Sequence, residues 1–254
     1  MDELKGRVAL VTGSSRGIGA ATARLFAQHG AHVALHGRDA RALADIESDM
    51  RRSGWRAITV HGDVTSFAEI EALRTDVESR LGPVDILVAN AGGSSAAPGP
   101  LEEMDEYAWR AAIDGNLTAT FLTLKSFLPG MKQRRSGTII TLSSAAARRP
   151  HPGSPIAYAV AKAGIVMLTQ DVAMQAGPYN VRVNCIAPET ILTERNLQRI
   201  PEKTREELVG AHPLRRLGTP EDVARAALFL ASPQSDWVTG IVLDVAGGAV
   251  MVGS

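Results

Sequence analysis

The sequence predicts a single α/β domain built on a doubly wound parallel sheet of seven strands, with helices on both faces. Three observations predict it. Short apolar runs alternate with helical stretches from one end of the chain to the other, an order that puts crossover helices between parallel strands. The first run, Val8–Val11, passes through Thr12 into a turn holding Gly13, Gly17 and Gly19, and then into a helical stretch. The 254 residues contain no repeat, low-complexity tract or linker, so the chain can close around one large core. Right-handed crossovers then place a ligand at the carboxyl ends of the strands.

Taken in order, Val8–Val11 reads as a buried strand and 17–29 as the first helix, with Gly30 as its stop before the strand His32–His36. A helix over 39–52 leads to a strand at 57–61. The next helix, 66–80, opens on Ser66 with Glu69 three residues on, the spacing of a capping box. An apolar run at 85–89 ends in Asn90-Ala91-Gly92-Gly93. A long helix is expected over 105–127, stopped by Pro129-Gly130. Gly137–Leu142 is the fifth strand, a helix begins near Ile156, and 181–186 and 241–245 are the last two strands.

Composition narrows the function. Lys plus Arg number 27 and Asp plus Glu number 27, a balance that speaks against nucleic-acid or membrane-surface binding driven by bulk charge. Cys185 is the only cysteine, which suits a reducing compartment. The start, Met1-Asp2-Glu3-Leu4-Lys5, has no signal-peptide pattern, and no apolar run reads as long enough to span a bilayer. A cytoplasmic protein is expected. No metal-ligand cluster is read.

The glycine turn is an anion site by construction. Glycines let the backbone approach a phosphate, and the new helix offers unpaired N–H groups and a positive dipole end. Its spacing is G-x-x-x-G-x-G rather than the commoner G-x-G-x-x-G. An NAD site usually carries an acid after the second strand, to bind the ribose 2′-hydroxyl. Here that position is Gly37, followed by Arg38, and Arg16 lies inside the glycine turn. Two guanidinium groups suit a 2′-phosphate, so NADP(H) is favoured over NAD(H). The alternative is that both arginines are solvated and Asp39 reaches the ribose. Asp63-Val64 follows the third strand, where the carboxylate could meet an adenine amino group or simply close a turn.

Tyr158 and Lys162 lie four apart in the helix after the fifth strand, on one helix face. An ammonium beside a phenol is expected to lower the tyrosine pKa from about 10, and a phenol so tuned can exchange a proton with a substrate oxygen. Ser143-Ser144 ends the fifth strand, where a hydroxyl can hold a substrate carbonyl.

These residues together resemble the short-chain dehydrogenase/reductase family, in the branch that includes 3-oxoacyl-acyl-carrier-protein reductases. The resemblance rests on Thr12-Gly13-Ser14-Ser15-Arg16-Gly17-Ile18-Gly19, Asp63-Val64, Asn90-Ala91-Gly92, Asn116, Ser144, Tyr158, Lys162, Asn184-x-x-x-Pro188 and Thr239-Gly240, and so runs from the first strand to the last. It implies a single Rossmann domain over 1–254, with a substrate lid at about 190–213. It also implies a catalytic tetrad of Asn116, Ser144, Tyr158 and Lys162. The tyrosine would be the general acid, the serine would position the carbonyl, and the lysine would bind the nicotinamide ribose and tune the tyrosine. The asparagine would hold a water of a proton relay. Gly13, Ser15, Arg16, Gly17, Ile18, Gly19, Arg38, Asp63, Val64, Asn90, Ala91 and Gly92 would line the cofactor, with Pro188, Ile191 and Thr193 at its carboxamide. The implied reaction is NADPH-dependent reduction of a small carbonyl, such as a 3-oxoacyl thioester, by a homotetramer or homodimer whose long helices meet at one interface. The same residues also allow an oxidising alcohol, sugar or steroid dehydrogenase, or a non-catalytic NADPH-binding sensor.

Three departures stand out. Glu189 follows Pro188 where the family commonly has glycine. The stretch 144–158 is one residue longer than the family leads one to expect and carries Arg148-Arg149-Pro150-His151-Pro152. Ala246 replaces the usual aspartate before the last Gly-Gly. Arg134-Arg135 and Arg148-Arg149 are candidates for an acidic partner or for plain surface charge.

Overall fold

The structure is a computed structural model and describes residues 2–94, 96–151 and 153–251; Met1 and Pro152 lie outside them. Seven parallel strands form one sheet: β1 (Val8–Val11), β2 (His32–His36), β3 (Ala57–Val60), β4 (Ile86–Ala89), β5 (Gly137–Leu142), β6 (Val181–Pro188) and β7 (Val242–Val245). Their order is β3-β2-β1-β4-β5-β6-β7. The chain runs outward from β1 to β3 and then returns to β4 on the other side of β1, so the order reverses between β1 and β4. A crevice opens at the carboxyl ends of those two strands, where a doubly wound sheet holds its ligand.

Alternation along β1 splits the core in two. Ala9 and Val11 face a cluster with Phe26, Leu43, Met50 and Leu228, while Val8 and Leu10 face one with Ile70, Leu73, Phe127 and Met131. The first cluster is covered by α1 (Gly17–Gln28), α2 (Ala40–Arg52) and α9 (Pro220–Ala231), and the second by α3 (Phe67–Leu81), α5 (Ala119–Arg134) and α6 (Ile156–Ala176). In α2 the buried residues Leu43, Ile46 and Met50 recur at helical spacing, and the Asp39 side chain caps the start by accepting from Ala42 N. Gly30 stops α1 with φ +90°, as expected of a glycine after a helix. Ser66 caps α3 by accepting from Glu69 N, but the Glu69 carboxylate turns outward to take the Asp63 N–H at 2.7 Å. Only half of the expected capping box therefore forms.

The long helix read over 105–127 is two helices. α4 (Glu106–Ile113) and α5 are joined by a wide π-turn at Asp114–Thr118, and α5 runs through Pro129 to Arg134 before Arg135 turns left-handed at φ 53°. Proline removes one N–H from the helix ladder, but Phe127 and Met131 on either side are both buried against the sheet and hold the helix across it. A second expectation also fails. α6 with the turn after it, up to Tyr179, is by length and composition long and apolar enough to cross a membrane. It packs against β6 instead, and its inward face carries the buried Lys162. Segment 190–213 forms α7 (Glu194–Arg199) and α8 (Glu202–Ala211) over the carboxyl end of the sheet.

Candidate active site

The glycine turn packs so closely that side chains are excluded. A Cβ on Gly19 would lie 2.3 Å from the Gly13 carbonyl oxygen, and Gly13 (φ +67°) has Ala91 Cα 3.0 Å from where its Cβ would be. Gly17 (φ +54°) lies against the Thr193 methyl. Arg16 precedes α1 without a side-chain cap, and the first turn holds no acid, so its N–H groups are left for an anion. Ile18 packs on the first core cluster and Ser15 faces Gly37. Asn90 ties the far wall to this turn: its Nδ2 donates to Thr12 O at 2.9 Å and Gly13 O at 3.1 Å, while Asn90 N and Ala91 N both donate to Thr12 Oγ1. The cradle fits a dinucleotide pyrophosphate.

His36 was not among the residues expected here, because one polar residue ending an apolar strand gives no signal. It is buried, Gly13 N donates to its Nδ1 at 3.4 Å, and its Nε2 lies 2.9 Å from Gly62 O. Burial pushes its pKa down, the Gly62 contact opposing, so the neutral ring braces the glycine turn. Arg16 Nη2 pairs with Asp39 Oδ2 at 2.9 Å at the mouth, beside the exposed Arg38. Asp63 closes a turn: its Oδ1 accepts from Thr65 N at 2.9 Å and Thr65 Oγ1 at 2.8 Å, and these bonds hold its carboxyl below the ordinary value. Val64 packs on the second cluster. Pro188 ends β6 beside Val245, Ile191 is buried, and Thr193 caps α7 through Asn196 N.

The two serines at the end of β5 have different surroundings. Ser143 is buried and its Oγ donates to Lys162 O at 2.8 Å, bracing α6. Ser144 Oγ accepts from Ala146 N at 3.2 Å and acts on the Tyr158 phenol. Lys162 Nζ donates to Leu142 O at 2.8 Å and sits 5.6 Å from the centre of the Tyr158 ring. Burial lowers the Lys162 pKa to about 8. The tyrosine differs from expectation. Burial raises its pKa, while Ser144, by hydrogen bonding, and the charge of Arg195 pull it back. The Lys162 ammonium is engaged by the Leu142 carbonyl and faces the ring. The sequence does not single out Arg195, since nothing local predicts that the charge of α7 acts on Tyr158.

Asn116 sits in the π-turn, fully buried. Its Oδ1 accepts from Gly93 N at 3.0 Å, and its Nδ2 donates to Gly93 O at 3.1 Å and Ala112 O at 2.8 Å. Gly92 beside it has φ +145°, and a Cβ there would lie 2.6 Å from Asn116 Oδ1. Ser144 and Tyr158 open into a cleft of about 510 Å³, also lined by Glu189, Arg149, His151 and Arg199. Arg195 and Arg199 both donate to Ser94 O, latching α7 onto the loop after β4.

Residues 13–250 match the family model described as enoyl-(acyl carrier protein) reductase. The chain is 37% identical to 7α-hydroxysteroid dehydrogenase of Escherichia coli strain K12 over 247 residues, covering 97% of this chain and 95% of that protein. It is also 37% identical to the 3-oxoacyl-[acyl-carrier-protein] reductase of Chlamydia muridarum over 253 residues, 96% of this chain and 98% of that one. A solved structure of 7α-hydroxysteroid dehydrogenase with NADH and 7-oxo glycochenodeoxycholic acid superposes with a TM-score of 0.93 at 37% identity, covering 98% of this chain and 96% of that one. A glycine cradle at the sheet's switch point, a serine and tyrosine over a buried lysine, and this likeness along the whole chain make it an oxidoreductase for CH–OH groups and ketones that uses a nicotinamide cofactor, a member of the short-chain dehydrogenase/reductase family resembling its 3-oxoacyl-acyl-carrier-protein reductases.

Proposed function

We propose that the enzyme reduces a ketone to a secondary alcohol with NADPH, with 3-oxoacyl thioesters and other small carbonyls as candidate substrates. The observation that carries this reading is the placement of Ser144 beside Tyr158, above the buried Lys162 and open to the cleft. The nicotinamide cofactor supplies a hydride when bound. Tyr158 donates the balancing proton from its hydroxyl to the carbonyl oxygen, and Ser144 holds that oxygen in place. Burial keeps the phenol protonated and therefore able to donate. Lys162, with its ammonium beneath the tyrosine ring, would hold the cofactor's ribose. Asn116 spends both amide hydrogens on backbone carbonyls and one Oδ1 lone pair on Gly93 N, so its part is to position the loop at Gly93, with one oxygen lone pair left for a relay water.

Arg16 and Arg38 flank the place where an NAD enzyme carries its acid, which supports NADPH. A second reading has one observation in its favour. Asp39 occupies the Arg16 guanidinium, and the structural relative named above holds NADH, so an oxidising NAD-dependent dehydrogenase is the rival. Exposed Phe121 on α5 and Val160, Met167 and Met174 on α6 support a homotetramer through these helices. A cytoplasmic location accords with the single buried cysteine.

The test is NADPH consumption at about 340 nm (the reduced nicotinamide band) with acetoacetyl-CoA and a panel of ketones, beside NADH and Tyr158→Phe. Turnover with NADPH that the variant loses supports the proposal. Preference for NADH in both wild type and Arg16→Leu overturns the cofactor reading. Tight NADPH binding without turnover of any ketone or alcohol points to a sensor.

A further inference from the structure

The cleft beside Ser144 and Tyr158 is lined by Arg149, His151, Glu189 and Arg199, with Glu189 the one carboxylate among these residues. Glu189 Oε2 lies 2.9 Å from His212 Nε2. His212 is buried and the same Glu189 oxygen also accepts from Thr190 N, so the carboxylate is engaged from behind, at the end of β6 and of α8.

The arginines are not cancelled. Arg149, Arg195 and Arg199 form no ion pair among the described residues, and Arg195 and Arg199 donate only to the Ser94 carbonyl. Arg148, one residue earlier, is taken by Asp244 at 3.0 Å, which pins the start of the loop and leaves Arg149 and His151 to line the cleft. Glu194 turns the other way, toward Gly17. A cleft of small-molecule size is left with uncompensated positive charge next to the proton donor.

The geometry points to a substrate that carries an anionic group a short distance from its carbonyl, held by Arg149 and Arg199; an oxo acid reduced to a hydroxy acid is the simplest form. The inference rests on the carbonyl-reductase reading. The phosphates of a coenzyme A thioester also carry negative charge, but at the far end of the pantetheine arm from the carbonyl, and the substrates below separate the two sources.

The experiment compares kcat/KM for 4-oxocyclohexanecarboxylate against its methyl ester, and for acetoacetyl-CoA against acetoacetyl-N-acetylcysteamine, in wild type, Arg149→Gln, Arg199→Gln and Arg199→Lys. A charge-assisted contact is worth about 10-fold or more. 4-Oxocyclohexanecarboxylate is expected to beat its ester by at least that factor, through KM, with the ratio collapsing in the Gln variants and partly kept in Arg199→Lys. Equal rates within that pair, a preference confined to the coenzyme A pair, or one that survives both Gln variants overturn the inference. Binding of cyclohexanecarboxylate against cyclohexanecarboxamide, to the protein with NADP added, needs no turnover. If the carboxylate binds and the Gln variants lose it while no ketone is reduced, the subsite stands and the reductase reading falls. If carboxylate and amide bind alike, the subsite falls whatever is reduced.

Discussion

The side-chain amide of Asn116 closes on both backbone groups of Gly93, accepting its N–H at 3.0 Å and donating to its carbonyl at 3.1 Å. A third bond, to Ala112 O at 2.8 Å, ties the same amide to the helix turn below. The loop after β4 is thereby fastened to the π-turn between α4 and α5. Asn116→Ala leaves the Gly93 N–H and two carbonyls without partners, at about 1–3 kcal/mol. Urea unfolding is expected to show a midpoint lowered accordingly, and activity to fall with it. A midpoint equal to wild type would mean that the clip adds nothing.

His36 makes the glycine turn sensitive to acid. Its folded pKa is lowered by burial, so below about 6.5 the unfolded chain takes up the proton first. The stability it contributes is present above that pH and is lost as pH falls toward its folded value. His36→Gln keeps a donor and an acceptor but cannot titrate. Its unfolding free energy is expected to fall less steeply between about pH 6.5 and 5 than that of wild type; parallel slopes would refute the argument.

Ser143 and Ser144 are adjacent but should fail differently. Ser143→Ala removes the bond to Lys162 O and is expected to cost about 1 kcal/mol of stability. Ser144→Ala should leave the melting temperature close to wild type and lower kcat by about 10²-fold or more, the usual loss for a donor that holds a reacting oxygen. Melting curves and steady-state rates on both variants check the division. The opposite pattern would exchange their roles.

Lys162 trades stability for function. Its pKa stands at about 8 against an ordinary 10.5, so its charge costs the folded state about 3 kcal/mol at neutral pH, at about 1.4 kcal/mol for each pH unit. Between about pH 8 and 10.5 the unfolded chain holds more of this proton, and wild-type stability should gain with rising pH relative to Lys162→Met. The variant is expected to lose turnover yet melt no lower than wild type at pH 7. A fall of many degrees would show that the bond to Leu142 O outweighs the burial.

The reading of the long helix shows where local rules give way. Pro129-Gly130 is a sound stop signal by itself, yet α5 runs through it because Phe127 and Met131 are buried on the sheet side. The apolar α6, not expected from the sequence as a span, is long and apolar enough for one and packs against β6.

By itself the sequence determined the strand order along the chain, the glycine turn, the stop at Gly30, the cap at Ser66, and Tyr158 and Lys162 on one face of a helix. These follow from periodicity, backbone sterics and hydrogen bonds within a few residues, which a linear pattern records. Tertiary structure alone decided that Asn116 grips Gly93, that Ser143 and Ser144 part company, that Arg16 meets Asp39, and that His212 backs Glu189. It also reversed the direction expected for Tyr158, because burial there outweighs any charge the spacing could place beside it. Desolvation and long-range hydrogen bonds depend on groups brought in from other elements, and their partners are chosen only when the sheet and its helices close.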